Sequence, residues 1–367
     1  MLVVIDARTA TDHFPGIGRY VASLAQALRQ VAPDLNLSLL HDPSAAATHL
    51  ALPNLSRVAC TVSPFSIRQQ WAVPRELRRV GATLYHSPYY LMPYRAGVPA
   101  IVTMHDLIPV RFPAYFAPAQ RLTFAITTRL AAHAARTVIA VSQTTASDLR
   151  RLLRLPEERI AVIPEAAGPA FRPQPLLAVA ALRTRLGLPA MYILYLGSNK
   201  PHKNLVRLVE AWARCQPQPL PLVIAGVWDA RYPQARQKAD ELALGEKIRF
   251  LGPVVEADLP ALYSGATLFA FPSEYEGFGL PVLEALACSV PVACSGTSSL
   301  AEVAGDAALT FDPTNVDAIA DALHRLLSDG ELRAELRGRG LRRAAQFSWE
   351  RTAQETLAVY RQVTAAF

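Results

Sequence analysis

The chain has 367 residues, 51% of them apolar and 18% charged, with a formal net charge of +7. That is enough for two globular domains, each with its own core. Every long apolar stretch is interrupted by a charge or a proline, so no transmembrane helix is expected, and the four cysteines, with no CxxC and no zinc spacing, read as small buried hydrophobes of a reducing cytoplasm.

Taken in chain order, "MLVVIDARTA" meets Asp6 and Arg8 almost at once, and reads as a first strand and not as a signal peptide. Short apolar runs then recur: "LNLSLLHD", "ATLYHS", "PAIVTMHD", "RTVIAVS" and "RIAVIPE". Between them lie helical patterns such as "GRYVASLAQALRQVA". "PEAAGPAFRPQP", residues 164–175, is dense in Pro, Gly and Ala and reads as a linker. A second series follows: "MYILYLG", "PLVIAG", "KIRFLG", "ATLFAFPS", "PVACS" and "AALTFD", with "KNLVRLVEAWARC" as a helix among them. Strands alternating with helices predict parallel sheets covered on both faces, and twelve strands in two groups predict two doubly wound α/β domains. The chain closes on a helix from a Ser348 cap.

Charge is distributed unevenly. Residues 1–170 hold 17 basic and 10 acidic side chains, whereas residues 171–367 hold 20 of each. Every basic residue of the first half is Arg, which points to an anionic partner there: a membrane surface, a phosphorylated acceptor or nucleic acid. Scattered surface arginine is the plainer alternative. Nucleic acid is disfavoured, because no aromatic-basic platform accompanies the arginines.

The densest chemistry lies in "PSEYEGFGLPVLEALA". A strand, a Gly-rich loop and a helix led by Pro281 present free backbone N–H groups to an oxyanion. Gly277 and Gly279 let the backbone approach a phosphate. Glu276 and Glu284 beside that anion make sense if the ligand also carries hydroxyls, because a carboxylate accepts two hydrogen bonds from a vicinal diol. A nucleotide sugar has all of these parts. The bland reading, a helix-dipole carboxylate worth roughly 0.3–1 kcal/mol and two turn glycines, would suffice for either residue alone.

"EGFGLPVLEALA" resembles the E-x7-E signature of retaining glycosyltransferases of family four, which have the GT-B fold of two Rossmann-like domains facing across a cleft. The likeness continues through "GIGRY", "TMHDLIPVRFP", "AVSQTTASDL", "VIPEAAGPAFRP", "YLGSNKPHKNL" and "IRFLGPV". "HDLIP" and "KPHKNL" are most similar to a bacterial subgroup of O-antigen and polysaccharide mannosyltransferases. The resemblance implies that residues 1–168 bind the acceptor and 176–347 the nucleotide sugar, with 348–367 packing back on the first domain.

It also implies roles. Glu276 would hold hydroxyls of the donor sugar and Glu284 the ribose diol. Backbone amides from Gly277 through Phe278 and Gly279 to Leu280 would bind sugar and diphosphate, and Val254 would join the donor contacts. Lys203 would neutralise the leaving phosphate; taken alone it is as readily a solvated lysine. Many members place an Arg where this chain has Ser198, so either Lys200 replaces that cation or the Ser198 hydroxyl donates instead. Gly16 and Gly18 form a weak dinucleotide fingerprint, with Val21 at the third Gly position, but fit the family's first loop. His105, at a strand end beside Asp106, would lie near the reacting centre.

The expected activity is therefore retaining hexosyl transfer, with mannose from GDP-mannose the first choice, to a glycan or lipid-diphosphate-linked acceptor. No Asp-x-Asp occurs, so no metal and no cofactor beyond the donor is expected. The expected location is cytoplasmic, with a peripheral contact to anionic membrane through "RQQWAVPRELRR", residues 68–79. Rival readings are a UDP- or ADP-sugar glucosyltransferase, an epimerase, a phosphorylase, and a nucleotide-sugar-binding protein with weak activity or none.

Overall fold

Short apolar runs become strands and amphipathic runs become helices in the computed structural model of the chain, which describes residues 1–11, 14–45, 55–215 and 220–366. Residue 367, the last of the expected C-terminal helix, lies outside them. The chain divides into one unit of Met1–Glu165 with Ser348–Phe367 and another of Ala166–Phe347. The division falls inside the Pro- and Gly-rich stretch 164–175.

The first unit holds β1 (Leu2–Asp6), β2 (Asn36–His41), β3 (Ser56–Ala59), β4 (Leu84–Ser87), β5 (Ala100–Met104), β6 (Thr137–Ala140) and β7 (Ile160–Val162). They form a parallel sheet in the order β3-β2-β1-β4-β5-β6-β7. β3 is an addition to the twelve expected strands. It is an edge strand that buries only Val58, so its sequence has no visible apolar period.

Strand side chains alternate between two cores. Val4, Tyr85, Val102 and Val138 face helices Gln69–Arg79, Pro118–Ala134 and Gln143–Leu153. Val3, Ile5, Leu84 and Ile139 face helices Pro15–Val31 and Trp349–Ala365. Ser348 caps the latter helix by accepting from the Arg351 N–H. A buried polar chain ties this helix to the sheet: His86 shares one ring nitrogen with the Tyr360 hydroxyl at 2.6 Å and the other with Thr103 Oγ1 at 2.8 Å, and Thr103 also meets the Tyr20 hydroxyl at 3.0 Å. Burial pushes the His86 pKa down to about 3, so its ring is neutral at physiological pH.

The second unit holds β8 (Ile193–Leu196), β9 (Leu222–Ala225), β10 (Ile248–Gly252), β11 (Leu268–Phe271), β12 (Val292–Ser295) and β13 (Leu309–Phe311). These are parallel in the order β10-β9-β8-β11-β12-β13. The chain order of strands reverses between β1 and β4 in one sheet and between β8 and β11 in the other. At such a switch point the two following loops diverge to opposite faces and leave a crevice at the strand ends.

Candidate functional site

Because β8 and β11 are neighbours, the loops that leave their carboxyl ends start side by side, and groups of the two can bond across the crevice. After β8 the chain runs through Gly197–Lys200, a single 3-10 turn at Pro201–Lys203, and Asn204 in the left-handed region at φ 61°. Asn tolerates that conformation better than most residues. Its amide is fully used, donating to the carbonyls of Pro272 at 3.0 Å and Pro313 at 2.7 Å. Lys203 thereby points at the loop after β11 and donates to Glu276 Oε1 at 2.6 Å. The ammonium also stands 5.3 Å from the centre of the Phe271 ring.

The loop after β11 is held along its backbone. The Glu274 N–H donates to the His202 carbonyl at 2.8 Å, and the Ser273 hydroxyl donates to the same carbonyl at 3.1 Å. On its other side, the Glu276 N–H donates to Ser298 Oγ at 3.1 Å, and Ser299 Oγ donates to the Glu276 carbonyl at 2.9 Å. Glu276 is 9% exposed, so its carboxylate is aimed by a fixed loop and not by a flexible stem. Ser298, Ser299 and Asn204 had no visible role in the sequence. Their partners lie 22 or more residues away.

The three carboxylates each have a donor of their own, which resolves their presence at a helix mouth. Glu276 has Lys203. Glu274 accepts from Arg207 at 2.6 Å. Glu284, 2% exposed, accepts from the Tyr263 hydroxyl at 3.0 Å. The helix itself is Leu280–Ala287, so Pro281 is its second residue and Gly279 its cap. Gly279 has φ 109°, where a side chain is strained, and a Cβ there would also press on Leu300 Cδ2 at 2.6 Å. Phe278 is buried, its ring edge-on to Phe347 at 5.9 Å. His202 stays neutral between Lys200 and Lys203, since burial first and the two ammonium charges next push its pKa down to about 2.

The structure thus brings Lys203, Glu276, Gly277, Phe278, Gly279 and Leu280 around one switch point. Ser198 is half-buried after β8, its carbonyl accepting from Tyr195 at 2.8 Å, and Lys200 is exposed. Val254 follows β10, two strands away from β8. Gly16 and Gly18 differ from the expected loop: both lie in the first turns of helix Pro15–Val31, because a proline at the first helical position starts the helix before "GRY".

His105 leaves the end of β5 in the first unit. Its Nδ1 donates to Glu165 Oε1 at 2.7 Å, and its ring lies edge-on to Tyr20 at 4.8 Å. Burial favours the neutral imidazole. The hydrogen bond and charge of Glu165 outweigh it, with help from Asp106 and the Pro88 carbonyl, and the His105 pKa is raised above its ordinary value. Sequence reasoning missed Glu165, 60 residues away and inside a segment taken as linker. Replacing Glu165 by Gln is expected to lower the His105 pKa, since burial then acts with less opposition. NMR titration of the ring protons checks this, and an unchanged midpoint would refute the pairing.

Among the described residues no three His, Cys, Asp or Glu side chains gather as a metal site, and no helix is long and apolar enough to cross a membrane.

Two family descriptions match this chain: "Glycosyltransferase Family 4" over residues 15–167 and "Glycosyl transferases group 1" over residues 184–343. The O-antigen chain mannosyltransferase B of Escherichia coli is 32% identical, the match covering 94% of this chain and 96% of that protein. The D-inositol 3-phosphate glycosyltransferase of Salinispora arenicola is also 32% identical, over 77% of this chain and 69% of its own. Among solved structures, HepE of Anabaena, crystallised with UDP and glucose, superposes with a TM-score of 0.80 at 19% identity, covering 98% of this chain and 99% of that one. The two sheets and their helices are those of a GT-B glycosyltransferase. The chain belongs to glycosyltransferase family 4, within group 1, and is an enzyme of that class.

Proposed function

We propose that the protein transfers a hexose, mannose from GDP-mannose, with retention of anomeric configuration to a glycan or lipid-diphosphate-linked acceptor in polysaccharide synthesis. The observation that carries this reading is the Lys203–Glu276 contact of 2.6 Å beside the Gly279-capped helix. A cation there suits phosphate and a carboxylate suits hydroxyls, on loops anchored through Asn204, Ser298 and Ser299. Donor binding would exchange their partners: sugar hydroxyls donate to Glu276, and the diphosphate takes Lys203 and the N–H groups of residues 277–280. As the bond from the anomeric carbon to the phosphate oxygen breaks, negative charge grows on that oxygen, where a preorganised cation and amides act most strongly. The acceptor hydroxyl attacks from the same face, and its proton passes to the departing phosphate.

In this reading the second unit holds the donor, with Glu284 at the ribose, and the first unit takes the acceptor beside His105. Similarity to the mannosyltransferase over nearly the whole of both chains favours mannose. UDP-glucose is the second choice, favoured by the UDP and glucose with which HepE was crystallised. Calorimetry against GDP-, UDP- and ADP-sugars tests the donor: tightest binding of GDP-mannose is expected, and preference for a UDP- or ADP-sugar would overturn it. Product formation from radiolabelled donor separates an enzyme in use from a weakly active binder.

The reaction is expected to need no divalent metal, because Lys203 and backbone amides face the diphosphate and the sequence has no Asp-x-Asp. Enzyme treated with EDTA should keep its rate; a strict requirement for added Mg²⁺ or Mn²⁺ would contradict this. A lipid-linked acceptor would place the protein at the cytoplasmic face of the membrane, held by Arg68, Arg75, Arg78, Arg79 and Trp71 of residues 68–79.

A further inference from the structure

We infer that Glu165 is a positioning residue for His105, that Thr352 of the terminal helix holds Glu165 in place, and that together they present His105 to the acceptor as a fixed positive charge and not as a proton carrier. The inference rests on the reading that the first unit takes the acceptor beside His105, and adds what that ring does there and which residues set it.

Neither ring nitrogen of His105 is placed to exchange a proton with a substrate. Nδ1 is taken by Glu165 Oε1 at 2.7 Å, and Nε2 is buried. The side chain is nonetheless 23% exposed, so what it shows is chiefly carbon. A general acid or base must bring a nitrogen within hydrogen-bond reach of the proton it moves. A charge has no such need, because it acts through space.

The partner carboxylate is held from the terminal helix. Glu165 is 4% exposed, and the carbonyl of the preceding Pro164 accepts from the buried Thr352 hydroxyl at 2.7 Å. The first unit ends at Glu165 and resumes at Ser348, so this bond fastens the departing chain to the returning one. From the same helix the Trp349 ring meets Tyr20 at 5.8 Å, and Tyr20 in turn lies edge-on to His105. Tyr360, His86 and Thr103 hold the Tyr20 hydroxyl through the buried polar chain. From helix Gln143–Leu153 the Thr145 hydroxyl donates to the His105 carbonyl at 3.4 Å. Burying an ion pair is a poor route to stability, since apolar residues of the same volume serve a core as well or better. A carboxylate kept beside an imidazole at a strand end instead sets the charge of the ring.

The other groups around the ring leave that charge in place. Tyr20 is uncharged because burial raises its pKa, and His86 on β4 is neutral. Burial of His105 acts against its charge, but Glu165, and after it Asp106, hold its midpoint above the ordinary value of about 6.5. The ring is charged below that midpoint and neutral above it. Transfer should therefore be full below the midpoint and fall as pH rises through it.

NMR titration of the His105 ring, set beside initial rates across pH, tests this. The rate measured is transfer from radiolabelled GDP-mannose to a mannose-terminated glycan. A rate that rises through the midpoint would make His105 a base and overturn the inference. Glu165→Gln and Thr352→Val should each move the midpoint and the alkaline limb together to lower pH. Each should also lower kcat above neutral pH about tenfold or more, the scale of losing a hydrogen bond to a charged group. GDP-mannose binding by calorimetry should stay unchanged, since the donor groups lie in the second unit. Thr352→Ser keeps the hydroxyl and should restore both midpoint and rate. A lowered kcat with an unmoved midpoint in Thr352→Val would reduce Thr352 to a packing residue and overturn its role. Glu165→Gln keeps the shape of the side chain and reads the pair even where the valine variant folds poorly; an unmoved midpoint there overturns the inference whatever the transfer assay gives. The titration needs no turnover, so failure of the donor reading shows separately, as absent GDP-mannose binding in the wild-type protein.

Discussion

Glu276→Ala and Lys203→Ala are each expected to lower turnover on the order of 10²-fold or more, the scale of removing one preorganised electrostatic contact from a transition state. The two side chains form one contact at 2.6 Å, so each variant leaves the other group without its ion-pair partner. Glu276→Ala takes away the acceptor for sugar hydroxyls. Lys203→Ala takes away the cation beside the departing phosphate. The loop backbone keeps its anchors to His202, Ser298 and Ser299, so the fold should survive in both variants. Transfer from radiolabelled donor, with melting temperature as the control, reads the effect. Near wild-type turnover in either variant, with a normal melting temperature, would remove the donor site from this crevice. Glu276→Gln adds a finer reading: it keeps the shape and one acceptor oxygen but loses the charge, so partial activity would separate hydrogen bonding from electrostatics.

Gly226→Ala should be among the most destabilising single changes in the second unit. Gly226 follows β9 with φ 126°, and a Cβ there would stand 2.2 Å from the Gly197 carbonyl oxygen and 2.8 Å from its carbon. Both are backbone atoms. Gly197 is in turn held by its N–H to the Ala225 carbonyl at 2.9 Å, and Gly226 by its own to Gly252 at 2.8 Å. Asn199 pins the same turn through the Asp229 and Tyr232 carbonyls at 2.8 and 2.7 Å. With nowhere to move, the methyl group should cost about 3 kcal/mol or more, in the upper tail of point substitutions. A fall of roughly 5 °C or more in melting temperature is expected. Gly16→Ala is the control: it lies in a helix, nothing stands within 4 Å of its Cβ position, and Ala should leave stability unchanged or raise it by up to about 1 kcal/mol. Equal melting temperatures for the two variants would mean that the strand ends yield more easily than their hydrogen bonds suggest.

Much of this architecture is legible in the chain itself because it is written in local periods. Apolar runs such as "LVVID" and "LFAF" are buried on both faces and need no partner to be recognised. β3 escaped because an edge strand with one buried residue has no such run. The strand, Gly-rich loop and helix around Glu276 were legible for a related reason: glycine, proline and carboxylate do their work within ten residues of one another. The helix start at Pro15 was misplaced by a few residues, since two glycines after a strand resemble a loop until the preceding proline is given its weight.

What sequence by itself determined, then, is what depends on neighbours along the chain: two parallel α/β units, the glycine loop, the paired glutamates and an arginine excess in the first half. Only tertiary structure decided which distant groups meet. Lys203 reaches Glu276 across 73 residues because β11 lies beside β8, and strand order is set by helix packing on both faces and not by either strand's composition. In the other sheet Glu165, beyond the end of β7, reaches His105, beyond the end of β5, across the intervening β6. The arginine excess acquires a direction only once helices Gln69–Arg79 and Pro118–Ala134 are laid on one face of one sheet, because a charge count carries no geometry.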